Sequence, residues 1–252
     1  MCFSLIVTTF DDPAFTGDNW ARRYPDSDLS VGPDPTAAVD FLAELAGDGA
    51  RVLELAIGGG RVARPLLRRG LRVEGVEGSP AVAQRLASSA EGASIPVVVA
   101  DMAEAPVTGP YQLVYVVWNS LFNLTSQARQ IACFRTAAGV LAPDGVFVIE
   151  CYVPDPASYD SPRAGAVTET TALLSITQHD RAEQRIQQQH ITFSEAGIQT
   201  LPVAHRYCWP SELDLMAQLA GLRLRERYGD WQRTPYGSDS KNHISVYETD
   251  AR

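Results

Sequence analysis

Three acidic residues, Glu54, Glu77 and Asp101, each stand within or at the end of a short apolar run, and three consecutive glycines, Gly58 to Gly60, lie between the first two. Carboxylates and glycines in this order suit one kind of chemistry. Glycine lets the main chain approach a ligand with no Cβ in the way, and a helix that follows aims its first N–H groups at that ligand. A carboxylate at a strand end about 20 residues further on can accept hydrogen bonds from both hydroxyls of a ribose. Glu77, followed by Gly78, has that position. Asp101 can take an adenine amino group, with Met102 packed against the base. The expected ligand is an adenosine-containing cofactor.

Two cofactors compete. Gly58-x-Gly60-x-x-Ala63 followed by Glu77 satisfies the dinucleotide fingerprint, which would make the chain an NAD-dependent oxidoreductase. Glu54 favours the other. A carboxylate just before the glycine turn would repel a diphosphate but attract the cationic aminoacyl end of S-adenosylmethionine (SAM). The order Glu54-x-Ala56-x-Gly58-x-Gly60 has one departure from a D/E-x-G-x-G-x-G pattern, an alanine at the first glycine position.

Transfer of a methyl group from a sulfonium needs donor and acceptor in line and about 3–3.5 Å apart. A hydroxyl acceptor also benefits from a general base. Of the four histidines, His205 is the first candidate base and His243, at the start of the final strand, the second. His190 lies on an alternating strand and is expected to face the substrate; His179, beside a polar turn, is expected to be solvated. Phe122, Tyr152, Tyr207, Trp231 and Tyr236 are candidate walls of the substrate cavity, since aromatic faces suit a sulfonium. Residues 11–35, rich in Asp, Pro and Gly, read as a partly helical arm in which Trp20 or Tyr24 closes over the cofactor; Tyr24 is assigned to the site.

The elements that must position these residues follow from periodicity. Val52 to Ile57 reads as one buried strand, and Val62, Leu66 and Leu67 recur at helical spacing before Gly70. Strands are expected at 71–77, 95–100, 111–117 and 146–153. Intervening helices begin near Pro35, at Ser79–Pro80 and at Thr125 or Ser126. This alternation implies a parallel sheet that binds ligands at the carboxyl ends of its strands. Glu54, Glu77, Asp101 and the Trp118–Asn119 pair all fall at or near such ends. Residues 166–208 read as a three-stranded antiparallel meander, with turns at 180–183 and 195–197.

With 252 residues, the chain has room for a full core. A net charge of −9 presents no basic surface to nucleic acid or anionic lipid. No window is long enough to span a membrane, and the first ten residues lack a basic region and a cleavage site. The cysteines at 2, 133, 151 and 208 form no C-x-x-C pair, so neither zinc nor any other metal is expected, and a reducing cytoplasm is the natural setting.

The ordered pieces VLELAIGGG, VEGVEGS, ADM, YQLVYVVWNSLFNL, LAPDGVFVIE and WPSELDLMAQLAGLRL…HISVYE resemble a class I SAM-dependent methyltransferase over roughly residues 36–153 and 205–249. That resemblance implies a Rossmann-like α/β fold, mostly parallel with an antiparallel last strand, and SAM converted to S-adenosylhomocysteine. The chain divides into an arm (1–35), a SAM-binding core (36–153 and 209–252) and a meander insertion (154–208). The insertion's place is similar to that in sugar N-methyltransferases, where it would roof the substrate or form a homodimer contact. The expected activity is methylation of an O or N of a small molecule, a specialised metabolite. Non-methylating chemistry on the same fold, such as cyclisation, and a non-catalytic SAM-binding role are the other readings.

Overall fold

A computed structural model describes residues 10–24, 32–159 and 162–250. The first nine residues and 25–31, which carry part of the expected arm, lie outside the described residues. In chain order the core elements are α1 (Phe15–Arg23), α2 (Thr36–Ala46), β1 (Arg51–Leu55), α3 (Ala63–Arg68), β2 (Arg72–Glu77), α4 (Pro80–Ser88), β3 (Val97–Val99), β4 (Tyr111–Val116), α5 (Gln127–Val140) and β5 (Leu141–Tyr152). Four strands then form a separate sheet: β6 (Arg163–Val167), β7 (Thr171–Asp180), β8 (Arg185–Ser194) and β9 (Gly197–Arg206). The chain returns to the core with α6 (Pro210–Leu219), β10 (Leu222–Tyr228) and β11 (Asn242–Thr249).

The large sheet has the order β10-β11-β5-β4-β1-β2-β3. All pairings among β1 to β5 are parallel, and β11 runs against both of its neighbours. The direction of winding reverses between β1 and β4, which opens a crevice at their carboxyl ends. Val52, Leu113 and Val148 face one apolar layer with Phe41 and Leu66; Leu53, Val114 and Phe147 face the other with Phe134 and Tyr247. Burial on both faces explains why the strands read as near-continuous apolar runs. Two caps predicted from the sequence close as expected: Ser79 Oγ accepts from the Val82 N–H at 3.2 Å, and Ser126 Oγ from the Arg129 N–H at 3.4 Å.

Three expectations need correction. The second sheet has four strands, because β6 precedes the expected three; its Arg-Ala-Gly-Ala-Val run is exposed throughout and carries no alternation to find. The helix begun at Ser126, expected to run through Ala142 and to be broken by Pro143 to Gly145, stops at Val140, and those three residues lie inside β5 at a register shift between Tyr111↔Leu141 and Leu113↔Val146. The third strand is cut to three residues.

The meander is fastened to the core by a buried cation. Arg206, 6 % exposed, donates to Gln130 Oε1 at 2.6 Å and to Glu212 Oε1 at 2.7 Å, and its carbonyl accepts from Gln130 at 2.7 Å. Burial alone would raise the Glu212 pKa, but hydrogen bonds from Arg206, Gln184 and Gln127 outweigh it and hold the carboxyl below its ordinary 4.5. Arg206→Met would strand that carboxylate, and breaking a buried pair costs about 3–5 kcal/mol. Denaturant unfolding should show this loss at neutral pH. The native chain should also lose the pair's contribution as pH falls below the ordinary carboxylate range, whereas the variant should not. Equal stability of the two at pH 7 would remove Arg206 as the anchor.

Candidate active site

A cavity of about 360 Å³ opens over the carboxyl ends of the parallel strands. Its floor is Ala56, Gly58 and Gly59 after β1, Val76, Glu77 and Gly78 at β2, and Asp101 and Met102 after β3. Trp118, Asn119 and Ser120 form the wall after β4, and the meander supplies Gln188, His190, Val203 and His205 as a roof. Helix α1 closes the remaining side with Thr16, Gly17 and Trp20. Of the residues assigned from sequence, Ala56, Gly58, Glu77, Gly78, Asp101, Met102, Trp118, Asn119, His190 and His205 are brought together here.

Glu77 is 6 % exposed, yet it is on the cavity surface. Its Oε2 accepts from the Gly58 N–H and its Oε1 from the Ser79 N–H, both at 2.9 Å. Burial raises its pKa, and these backbone donors work against that rise. Each oxygen keeps a further lone pair for a hydroxyl. Asp101 accepts from the Ala103 N–H at 2.9 Å and pairs with Arg129, a partner that sequence reading missed. Gly58 adopts φ +56°, and a Cβ there would meet nothing within 4 Å, so the floor stays open for a ligand. Ala56 also holds a left-handed φ of 57°. The motif's missing glycine is therefore at a position where glycine would relieve strain, on the order of 1 kcal/mol.

The β4 wall is a tight turn. Trp118 and Asn119 have φ values of 53° and 65°. Glu150 on β5 holds them: its carboxylate accepts the Trp118 N–H at 2.8 Å and the Trp231 indole N–H at 2.8 Å. Asn119 Oδ1 accepts the Tyr152 N–H at 2.7 Å. No sequence motif marks Glu150, because its role exists only once β4 and β5 are paired. Gln188 and Val203 were also missed, although each lies two residues from a roof histidine and so shares its face.

Several assigned residues stand elsewhere. Glu54 is not on the cavity; it is 3 % exposed and accepts from the Tyr115 hydroxyl at 2.9 Å. Gly60 turns toward Leu86, where an added Cβ would come within 2.9 Å. Tyr24 stacks on Trp20 with ring centroids 5.2 Å apart, and it is Trp20 that reaches the cavity, 5.8 Å from Trp118. Phe122 and Tyr152 form a layer behind His205, with centroids 6.3 and 6.0 Å from its ring. Tyr207 lies beyond them, and its hydroxyl is 3.0 Å from Nε2 of His179, which packs on Tyr159 and is not simply solvated. Trp231 packs on Phe41 beneath the sheet, and Tyr236 beside His243.

The histidines separate clearly. His205 Nδ1 is 3.4 Å from the Tyr152 hydroxyl, and burial pushes its pKa down to about 4. His190 Nδ1 is 2.9 Å from Ser175 Oγ, and burial lowers its pKa too. His243 is fully buried on β11 with Nδ1 2.9 Å from Ser245 Oγ; burial takes it to about 3. It pairs in register with Cys151, away from the cavity, and cannot reach a substrate there. Among the described residues, no group of three His, Cys, Asp or Glu side chains is placed to hold a metal ion.

Burial raises Glu54 from an ordinary 4.5 to about 8, against the hydrogen bond from Tyr115 and the charge of Arg61. The folded protein thus holds this proton more tightly than the unfolded chain. Its contribution is complete below about pH 4.5 and is lost as pH rises through about 8. Glu54→Gln mimics the protonated acid, so its stability relative to the native chain should grow across that window. A difference in unfolding free energy that stays flat with pH would contradict the assignment.

Comparison with known proteins agrees with this geometry. A family model described as a methyltransferase domain matches residues 52–145. A methyltransferase from Streptomyces caelestis, CcbJ, is 35% identical, covers 98% of this chain and 100% of its own, and superimposes with a TM-score of 0.82. The cypemycin N-terminal methyltransferase of a Streptomyces species is 29% identical over 210 residues, 80% of this chain and 84% of that protein. The fold alone is shared with SAM-bound CalS10, an amino pentose methyltransferase from Micromonospora echinaspora, at 19% identity, 90% and 94% coverage and a TM-score of 0.61. With acidic strand tips around one adenosine-sized crevice and a full-length relative of known class, the chain belongs to the class I SAM-dependent methyltransferases.

Proposed function

We propose that this methyltransferase acts on a nitrogen of a small amine, a specialised metabolite, held between the meander roof and the Trp118–Asn119 wall. The basicity of the roof carries the reading. A general base works best with a pKa near the working pH. His205, taken to about 4 by burial, is too weakly basic to take a proton from a hydroxyl, and burial lowers His190 as well. A neutral His205 can accept a hydrogen bond from an amine N–H. The cavity's charged side chains are Asp12, Glu77, Asp101 and Arg129; with Arg129 paired to Asp101, the balance is negative and favours an approaching cation. The N-terminal amine named for the cypemycin enzyme and the amino sugar named for CalS10 are acceptors of the same chemistry.

When bound, the cofactor would supply a methyl group on a sulfonium; a neutral amine would form its N–C bond to that methyl carbon in line as the C–S bond breaks and S-adenosylhomocysteine leaves, with no base needed to create the lone pair. The chain's residues orient and enclose. In this reading Glu77 takes the ribose hydroxyls, Asp101 the adenine amino group, Met102 the base, and Gly58 leaves the floor open for the aminoacyl end. Trp118 and Trp20 cover the sulfonium region with aromatic faces. His205, backed by Tyr152, accepts the substrate N–H and sets its lone pair toward the methyl group. Water carries off the proton of the methylated ammonium. The arm (1–35), core (36–153 and 209–252) and roof (154–208) then divide lid, cofactor and acceptor among them, and the outer face of the roof is where two copies would meet. Among the described residues no helix is long and apolar enough to cross a membrane, and the buried free thiols of Cys133, Cys151 and Cys208 support a reducing cytoplasm.

Two measurements test this. Removing a hydrogen-bonding carboxylate leaves partners stranded at about 1–3 kcal/mol, so Glu77→Ala should weaken SAM binding roughly 5- to 150-fold by calorimetry. Unchanged affinity would sink the ribose role. With an amine acceptor, kcat/KM should rise with pH along the acceptor's own titration, and His205→Asn should mainly raise acceptor KM. A drop in kcat of about 10²–10⁴-fold, the span of a lost general base, would show that His205 takes a proton instead.

A further inference from the structure

Glu150, near the carboxyl end of β5, stands between the cavity wall and the turn that joins β10 to β11. Trp118 and Asn119 on that wall are left-handed in succession, with φ values of 53° and 65°. This conformation is costly for residues other than glycine and persists only where the surroundings enforce it. Strand β5 enforces it with three hydrogen bonds. The Glu150 carboxylate accepts the Trp118 N–H at 2.8 Å, the Glu150 carbonyl accepts the Asn119 N–H at 3.1 Å, and the Tyr152 N–H donates to Asn119 Oδ1 at 2.7 Å. The bond to Trp118 depends on the aim of a flexible side chain, and Trp231 provides that aim. Its indole N–H holds the other carboxylate oxygen, also at 2.8 Å.

Trp231 is itself firmly mounted. Its ring meets Phe41 of α2 edge-on, with centroids 5.4 Å apart. Arg233 lies over the same Phe41 ring at 4.9 Å and pairs with Glu44 of α2 at 2.9 Å. The turn also closes on itself. Asp230 Oδ1 accepts the N–H groups of Gln232 at 2.9 Å and Thr234 at 3.0 Å, and the Gly229 N–H donates to the Thr234 carbonyl at 2.7 Å.

We propose that Glu150 and Trp231 are positioning residues for methyl transfer, a clamp that holds the Trp118 ring over the cavity. Neither residue lines the cavity; both act through Trp118, which does and which lies 5.8 Å from Trp20. The clamp needs a carboxylate. Two N–H donors require an acceptor oxygen each, whereas a carboxamide has one oxygen and would turn its NH2 group toward the second donor. This role rests on the reading of Trp118 as a cover of the cofactor's sulfonium region.

Calorimetry with SAM tests the clamp without any acceptor. Glu150→Gln should weaken binding about 5- to 30-fold, the span for letting one left-handed residue relax in the free protein. Trp231→Phe keeps an aromatic ring against Phe41 but removes the indole N–H, and should weaken binding several-fold. In that background the single carboxamide oxygen is free for Trp118, so adding Glu150→Gln should change affinity by less than about twofold. Substitutions that merely loosened packing at separate points would multiply their losses instead. Losses that multiply overturn the proposal, and so does native affinity in Glu150→Gln. If Glu150→Gln does not fold, Trp231→Phe alone decides, with native SAM affinity the overturning result. Glu77→Ala separates this clamp from the reading beneath it. Unchanged SAM affinity there withdraws the cavity as the cofactor site, whereas a weakened Glu77→Ala beside a native Glu150→Gln withdraws the clamp alone.

Discussion

The Glu77 carboxylate is the junction on which the cofactor side depends. It is nearly buried, and a bare carboxylate there would be costly. Backbone N–H groups from two different segments meet it: Gly58 from the loop after β1 and Ser79 from the start of α4. One side chain thereby sets the separation of two strand ends and the entry of a helix. Ser79 passes the constraint on, capping α4 and accepting no less than it gives, since its hydroxyl donates to Asp18 of α1 at 2.5 Å. Gly17 sits so close that a Cβ would come within 2.6 Å of Ser79. Helix α1, the glycine loop and the second strand are therefore registered on a single acidic group that also faces the cavity.

The acceptor side is built differently. Its roof comes from β8 and β9, distant in sequence from the strand tips, and its position is set by Arg206 gripping α5 and α6. Arg206 is the residue after His205. The anchor and the candidate substrate contact are thus on opposite faces of one strand, and any slip of register would exchange them. Arg23 of α1 donates to Thr192 at 3.3 Å and also to Gln199, which ties α1 to the roof, while Asp18 ties it to Ser79 beside the floor.

Much of this was legible from residue order, because strand-end acids and glycine turns act locally. Glu77, Asp101, Met102 and the Trp118–Asn119 pair could be placed by counting from predicted strand ends. What failed had a physical reason in each case. Glu54 is also near a strand end, but alternation points it away from the crevice and toward Tyr115, so the electrostatic argument for SAM drawn from it does not hold. Glu77, Asp101 and the relatives carry that choice instead. Tyr24 and Trp20 are one helical turn apart on the same face, and only the depth at which α1 crosses the cavity decides which of them reaches it. Glu150 was invisible because its two partners, Trp118 and Trp231, come from segments far apart in the chain.

His205 and His243 show why residue type alone could not identify a base. His243 is fully buried and His205 half-buried, both are lowered in pKa by burial, and both have a hydroxyl near Nδ1. The difference is the space around the other nitrogen. His243 Nε2 is shut inside the protein with no partner among the described residues, whereas His205 borders the cavity. Burial strong enough to keep an imidazole neutral suits it to accept a hydrogen bond and unsuits it to hold a proton. An enzyme that lines its acceptor site with such groups gains more from positioning a nucleophile that is already free than from creating one, and amines are the acceptors for which that is enough.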